Sequence, residues 1–274
     1  MKALTKAGAI LLVLILLTAI LSPVLATKDP NSFDLAAKFQ SPSASAWFGL
    51  DQNGADVFSQ VLYGARTSLS ISFAVVVLSA SIGLLVGSWS AYHGGWRDLV
   101  VSRILDMVQA FPGFLLALAL VAVMGPSAKN LIFAMCITGW AGYARLVCGE
   151  VLHLKEREYV RGAEASGASR SRILVRHIWP NLMSLLAVQA TFGLAGVILA
   201  ESGLSFLGLG LPPDTPTWGA LLNQGRRFLS EAPHISFFPG LALSLVVLSI
   251  QLCGEGLREW LNPRERTARI KNAA

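Results

Sequence analysis

EREYVRGAEASGASRSRILVRHIWPN, residues 156–181, lies between two apolar blocks and carries Arg157, Arg161, Arg170, Arg172 and Arg176 against Glu156, Glu158 and Glu164. So many ionised side chains cannot sit in hydrocarbon, so the stretch lies outside any membrane that its flanks cross. Its middle, residues 162–168 (GAEASGA), is almost entirely small. A short helix without bulky side chains can approach another protein closely, and Gly167 offers a place to end it. Ser169 or Ser171 can then cap a second helix through Ile173, Leu174, Arg176 and His177, which Pro180 is expected to end or kink. The spacing predicts helix, turn, helix. On charge alone a solvated loop serves equally well, and the rest of the chain has to decide.

The flanks point to a membrane. Of the 274 residues, 54% are hydrophobic and 14% charged, whereas a soluble domain carries about 25% charged residues. The net charge of +6 comes from basic residues beside apolar blocks rather than on one soluble face. Anionic headgroups and the positive-inside bias explain it more simply than nucleic acid does. Cys136, Cys148 and Cys253 all fall within or at the end of apolar blocks. They are too few for a disulfide framework, and no CxxC or Cys/His cluster indicates a metal.

Six apolar runs are long enough to cross: 7–26, 68–91, 104–124, 131–147, 182–200 and 235–257. The first resembles a signal peptide in its flanks but is longer than a signal core, and it reads as an uncleaved anchor, residues 1–27. An external loop, 28–67, follows, with one short helix near Val57 to Leu62. The second run sets Gly83 and Gly87 four apart, a spacing that lets helices approach closely. Pro112 predicts a kink or break in the third, Gly125-Pro126 a tight external turn, and Arg145 can snorkel to the inner surface. The core, 68–258, thus holds five spans, an internal polar loop (150–181) and a second loop, 201–234. The latter is too broken by Pro212, Pro213 and Pro216 to span and reads as short helices on the outer mouth. A charged tail, 259–274, closes the chain. With both termini inside, sixteen of the 22 Lys and Arg residues fall on the internal side, which sets the orientation and puts 156–181 in the cytoplasm.

The catalytic possibilities are thin. There is no GxxxxGKS/T phosphate loop and no HExxH, and the glycines of FLGLG (206–210) make no dinucleotide fingerprint. Asp106, Glu150, Glu201 and Glu255 all fall near span ends, where hydration explains them better than intramembrane proteolysis or ion coupling. What remains is a pore whose energy comes from elsewhere.

At this point the opening stretch becomes specific. It resembles the EAA loop of ABC-importer membrane subunits, in which a Gly stands thirteen residues before a Pro, as Gly167 stands before Pro180. Arg161 and Gly162 stand where that pattern has Glu and Ala, Ala163 is retained, and His177 and Trp179 replace Ile and Leu. The branch serving peptides and nickel is closer. Glu158, Tyr159, Val160, Ala163, Gly167, Ala168, Ser169, Arg176, His177, Ile178, Pro180 and Asn181 all agree with it. So do residues 47–70, with Ala55 in place of Arg, and residues 94–112 and 200–222. The likeness covers nearly the whole chain and fits the second, C-type subunit of a heterodimeric permease.

The resemblance implies an all-α integral membrane protein with six transmembrane helices and the type I ABC importer permease fold. It implies no enzyme and no cofactor on this chain, with ATP-Mg held by two cytoplasmic ATPase subunits. The other partners are a homologous second permease subunit, an extracytoplasmic substrate-binding protein and the lipid bilayer, in the cytoplasmic membrane of a bacterium or archaeon. ATPase coupling would fall to Glu158, Tyr159, Arg161, Ala163, Glu164, Ala165, Gly167, Ala168, Ser169, Arg176, His177 and Pro180. The movement would pass to the fourth and fifth spans. The gate and the docking of the binding protein would fall to Ser205, Phe206, Leu207, Gly208, Gly210 and Trp218. Di- or oligopeptides are the expected cargo; nickel or another small solute is the alternative, and a membrane enzyme or receptor the distant one.

Overall fold

The structure is a computed structural model that describes residues 3–261. Helix follows helix: α1 Ala3–Ile20, α2 Ser22–Leu25, α3 Val57–His93, α4 Gly95–Gln109, α5 Gly113–Met124, α6 Ala128–Leu154, α7 Glu158–Ala165, α8 Arg170–Ile173, α9 Trp179–Phe206, α10 Trp218–Gly225 and α11 His234–Leu261. A π-turn, Leu174–Ile178, joins α8 to α9 as one continuous rod. Among the described residues, α1, α3, α6, this rod and α11 are long and apolar enough to cross a membrane.

The third crossing departs from a single span over 104–124. Pro112 has no N–H to give a helix and takes an extended backbone (φ −58°, ψ 118°), so the chain breaks there. The halves α4 and α5 stand bent by 80°, and a sixth crossing exists only if the bent pair is counted as one. The second crossing is longer than expected. Asp56 accepts a hydrogen bond from the Ser59 N–H and caps a helix of 37 residues. The short helix near 57–62 and the span at 68–91 are therefore one element, and the preceding loop ends at 56 rather than 67. Gly94 and Gly95, both at positive φ, stop it.

Packing follows the small residues. A Cβ on Gly83 would lie 2.5 Å from Tyr143 Cβ, and one on Gly87 2.6 Å from the Ala144 carbonyl oxygen. The Gly83/Gly87 pair is thus what seats α3 on α6. An Arg145–Asp106 ion pair at 2.6 Å ties α6 to α4. The segment before α3 is folded. Asp51 accepts from the Asn53 and Ala55 N–H groups and from Gln60 Nε2, and Phe48 stacks on Phe238 at 3.9 Å. Ala55 is 1% exposed in this turn. At the other terminus α11 runs to Leu261, so the tail begins later than 259. Arg264, Arg266, Arg269 and Lys271, like Lys2, lie outside the described residues.

Candidate functional site

The helix-turn-helix expected over 156–181 forms, and its turn closes on the backbone. Gly167 adopts φ +78°, its N–H donates to the Glu164 carbonyl, and the Ala168 N–H reaches back to the Ala163 carbonyl. This pair of bonds satisfies the last carbonyls of α7, as in a Schellman end. Ser169 occupies the N-cap of α8 by its backbone, without a side-chain cap bond. Within α7 only Val160 is buried. It enters the cluster formed by Val151, Leu154, Ile173 and Ile178, so one apolar anchor holds an otherwise exposed helix to the bundle.

The predicted coupling residues gather on this surface. Glu158, Tyr159, Arg161, Glu164, Ala165, Gly167, Ser169, Arg176 and Pro180 are exposed, and Ala163, Ala168 and His177 are half-buried. Arg161 pairs with Glu156, and Arg157 meets His153 Nε2 at 2.9 Å. The surface is therefore charged at its rim and small in its middle. It suits close contact with a second protein that offers acids to the arginines.

Pro180 neither ends nor sharply kinks the helix. A proline ring clashes with the carbonyl four residues earlier. Here the chain inserts a π-turn instead, with the Trp179 N–H donating to the Leu174 carbonyl. Asn181 Nδ2 donates to the His177 carbonyl at 2.7 Å and fills one of the positions left open.

Three contacts that sequence reasoning did not find fasten this unit. Tyr92, on the last turn of α3, donates to Glu164 Oε1 at 2.6 Å. Trp179 Nε1 donates to Ser88 Oγ at 3.1 Å, and Asn181 Nδ2 reaches Tyr159 Oη at 3.4 Å. The second crossing, and not only the fourth and fifth, is thus linked to α7. The one available signal was a tyrosine at the end of an apolar run, just before Gly94-Gly95.

At the opposite end of the bundle, α9 extends to Phe206 and stops at a second Schellman turn, with Gly208 at φ +83°. Of the expected gate and docking residues, Leu207 and Gly208 are exposed and Phe206 is half-buried beneath the Arg226 guanidinium, 5.1 Å from its ring centre. Ser205, Gly210 and Trp218 are buried and offer no surface to a docking protein. Trp218 is 1% exposed and donates Nε1–H to the Val61 carbonyl at 3.2 Å. Glu201 is a correction of another kind. It is fully buried rather than hydrated at a span end, because α10 folds back over the last turns of α9. Ser205 Oγ donates to its Oε1 at 2.8 Å and Ser202 Oγ to its Oε2 at 3.4 Å.

Residues 83–267 match the family described as "Binding-protein-dependent transport system inner membrane component". The chain is 39% identical over 260 residues to the dipeptide transport system permease protein DppC of Alkalihalophilus pseudofirmus, covering 95% of this chain and 86% of that protein. It is 42% identical over 258 residues to the glutathione transport system permease protein GsiD of Escherichia coli and of Shigella boydii, covering 94% of this chain and 85% of each.

Proposed function

The chain belongs to the inner membrane components of binding-protein-dependent transport systems, and on that premise we propose that it forms half of the translocation pathway for di- or oligopeptides. It is the membrane permease of an ABC importer, and such an importer carries an ATPase and a substrate-binding protein. The finer arrangement is our reading. A homologous second permease completes the pathway, two cytoplasmic ATPases bind ATP-Mg, and this chain holds no cofactor and catalyses nothing. It lies in a bacterial or archaeal cytoplasmic membrane with both termini inside, the orientation that the sixteen internal basic residues favour.

The observation that carries the coupling is α7 itself. It is a helix of eight residues held to the bundle by one buried valine and ended by one left-handed glycine. When ATP closes the ATPases, this rigid unit moves with them. It passes the motion to α9 through the continuous α8–α9 rod, to α6 through residues 155–157, and to α3 through Tyr92. Peptide is favoured as cargo by two relatives whose names specify dipeptide and glutathione. Nickel has no supporting observation, since among the described residues no three His, Cys, Asp or Glu side chains come together.

The test is reconstitution of the chain with its second permease, ATPases and binding protein in proteoliposomes. ATP-dependent uptake of a dipeptide is expected. A cysteine at Ser169 should react with an impermeant thiol reagent only from the ATPase side. Reaction from the opposite side inverts the orientation, and uptake of nickel but no peptide replaces the cargo.

A further inference from the structure

Beside the coupling unit, α3 and the π-turn part to leave a groove of about 510 Å³, lined by Leu85, Val86, Trp89, Leu174, Val175 and Trp179. That volume lies within the range of ligand sites. Leu85, Trp89 and Val175 are exposed, so no side chain of this chain fills the groove. Ser88 and Ser171 are its only polar wall residues. Ser88 Oγ takes the Trp179 N–H at 3.1 Å and donates to the Leu85 carbonyl at 3.4 Å, so the floor presents little but carbon. Trp89 stands one turn before the end of α3, and Trp179 opens α9. Indoles favour the border between hydrocarbon and headgroups. The groove therefore has acyl chains on one side of it and headgroups on the other.

A cation waits at that border. The Arg97 guanidinium lies over the Trp89 ring at 5.7 Å and over the Trp96 ring at 5.9 Å, within reach of a cation–π attraction. Trp89 is itself part of the groove wall, so the charge is fixed at the groove's edge. A guanidinium on an aromatic face keeps its in-plane N–H donors for an acceptor. Arg97 is half-buried and has neither a hydrogen bond nor an ion pair among the described residues. The neighbouring Asp98 is turned to Ser90 Oγ at 2.9 Å instead. Arg172 and Arg176, exposed on the rod that forms the other wall, likewise meet no acid among the described residues.

We infer that this groove holds one anionic phospholipid of the leaflet at the α7 end, with an acyl chain between α3 and the π-turn and the phosphate on Arg97. Apolar wall and unpaired arginine answer the two halves of such a molecule, and a fork of N–H donors suits phosphate oxygens. A zwitterionic lipid brings the same phosphate but also an ammonium group, which Arg97, Arg172 and Arg176 repel. The site is independent of the cargo.

The test uses the assembled importer in a mild detergent and a phosphatidylglycerol with a diazirine on its acyl chain. Photolabelling is expected on residues 85–89 and 174–179, located by peptide mass spectrometry. Plain phosphatidylglycerol should compete at about tenfold lower concentration than phosphatidylcholine, the value of one charge-assisted contact. Arg97→Gln should remove that preference by weakening phosphatidylglycerol alone, whereas Arg103→Gln, on α4 away from the groove, should keep it. Val175→Trp should fill the groove and cut labelling of 85–89 several-fold. Label elsewhere on the permease but on neither segment overturns the site, as when another subunit covers the groove. Equal competition by the two lipids also overturns it, and this comparison needs no substitution. Equal loss in Arg97→Gln and Arg103→Gln overturns it in favour of diffuse surface charge.

Discussion

Tyr92 Oη donates to Glu164 Oε1 across 2.6 Å, joining the last turn of α3 to α7 although the two residues are 72 positions apart. The bond gives the second crossing a direct hold on α7, the helix proposed to meet the ATPase. Because α3 is also seated on α6 through Gly83 and Gly87, movement of α7 reaches two packed helices at once.

Tyr92→Phe is therefore expected to uncouple rather than unfold. The bond is partly exposed, and such bonds contribute about 0.5–1.5 kcal/mol, too little to threaten insertion. Peptide uptake in proteoliposomes should fall several-fold while the amount of assembled complex and its ATP hydrolysis stay near normal. Loss of uptake and hydrolysis in equal measure would instead place Tyr92 in assembly.

Gly167 tests whether backbone or bulk matters at the α7 end. No atom lies within 4 Å of a Cβ built there, yet φ is +78°. The left-handed backbone costs most L-residues about 1–2 kcal/mol, and asparagine less. Copurification of the ATPase should fall most with Gly167→Val, less with Gly167→Ala and least with Gly167→Asn. If asparagine is as damaging as valine, contact of the side chain with the partner decides the outcome, not the turn.

How far the sequence reveals these features depends on whether they are local. The turn at Gly167, the break at Pro112 and the seat at Gly83 and Gly87 all come from residue types whose backbone or size permits one arrangement, so they are legible in order along the chain. The start of α3 is misplaced by eleven residues because polarity marks where a helix leaves the lipid, not where it begins. Tyr92, Glu201 and Trp218 escape for another reason. Their roles come from partners far away in the chain, and hydropathy does not say which surface a later helix covers. Glu201 looks hydrated until α10 folds over it.

Glu201 should behave as a structural acid where α10 packs on α9. Glu201→Gln keeps the acceptor oxygen that Ser205 uses and should leave thermal stability in detergent nearly unchanged. Glu201→Ala strips the Ser205 hydroxyl of its partner and opens a hole where α10 covers the end of α9. A loss of about 2–4 kcal/mol is expected, read as a clear drop in the unfolding midpoint. A glutamine variant that is stable yet cannot transport would show that the ionisable group itself takes part in gating.

Pro180 fixes the direction in which α7 points. With alanine there, residue 180 regains an N–H and loses the ring that forces the π-turn, so 174–178 can relax to ordinary α-helix. Removing one residue of excess winding rotates everything before it by about 100° relative to α9. That swings α8, and α7 with it, away from the position in which Val160 is buried and Tyr92 meets Glu164. Pro180→Ala is thus expected to insert and keep its α9 helix, yet to lose most ATP-dependent uptake. Crosslinking between cysteines placed at Tyr92 and Glu164 would report the rotation directly. If the crosslink and uptake both survive, the π-turn accommodates the proline without aiming the coupling helix.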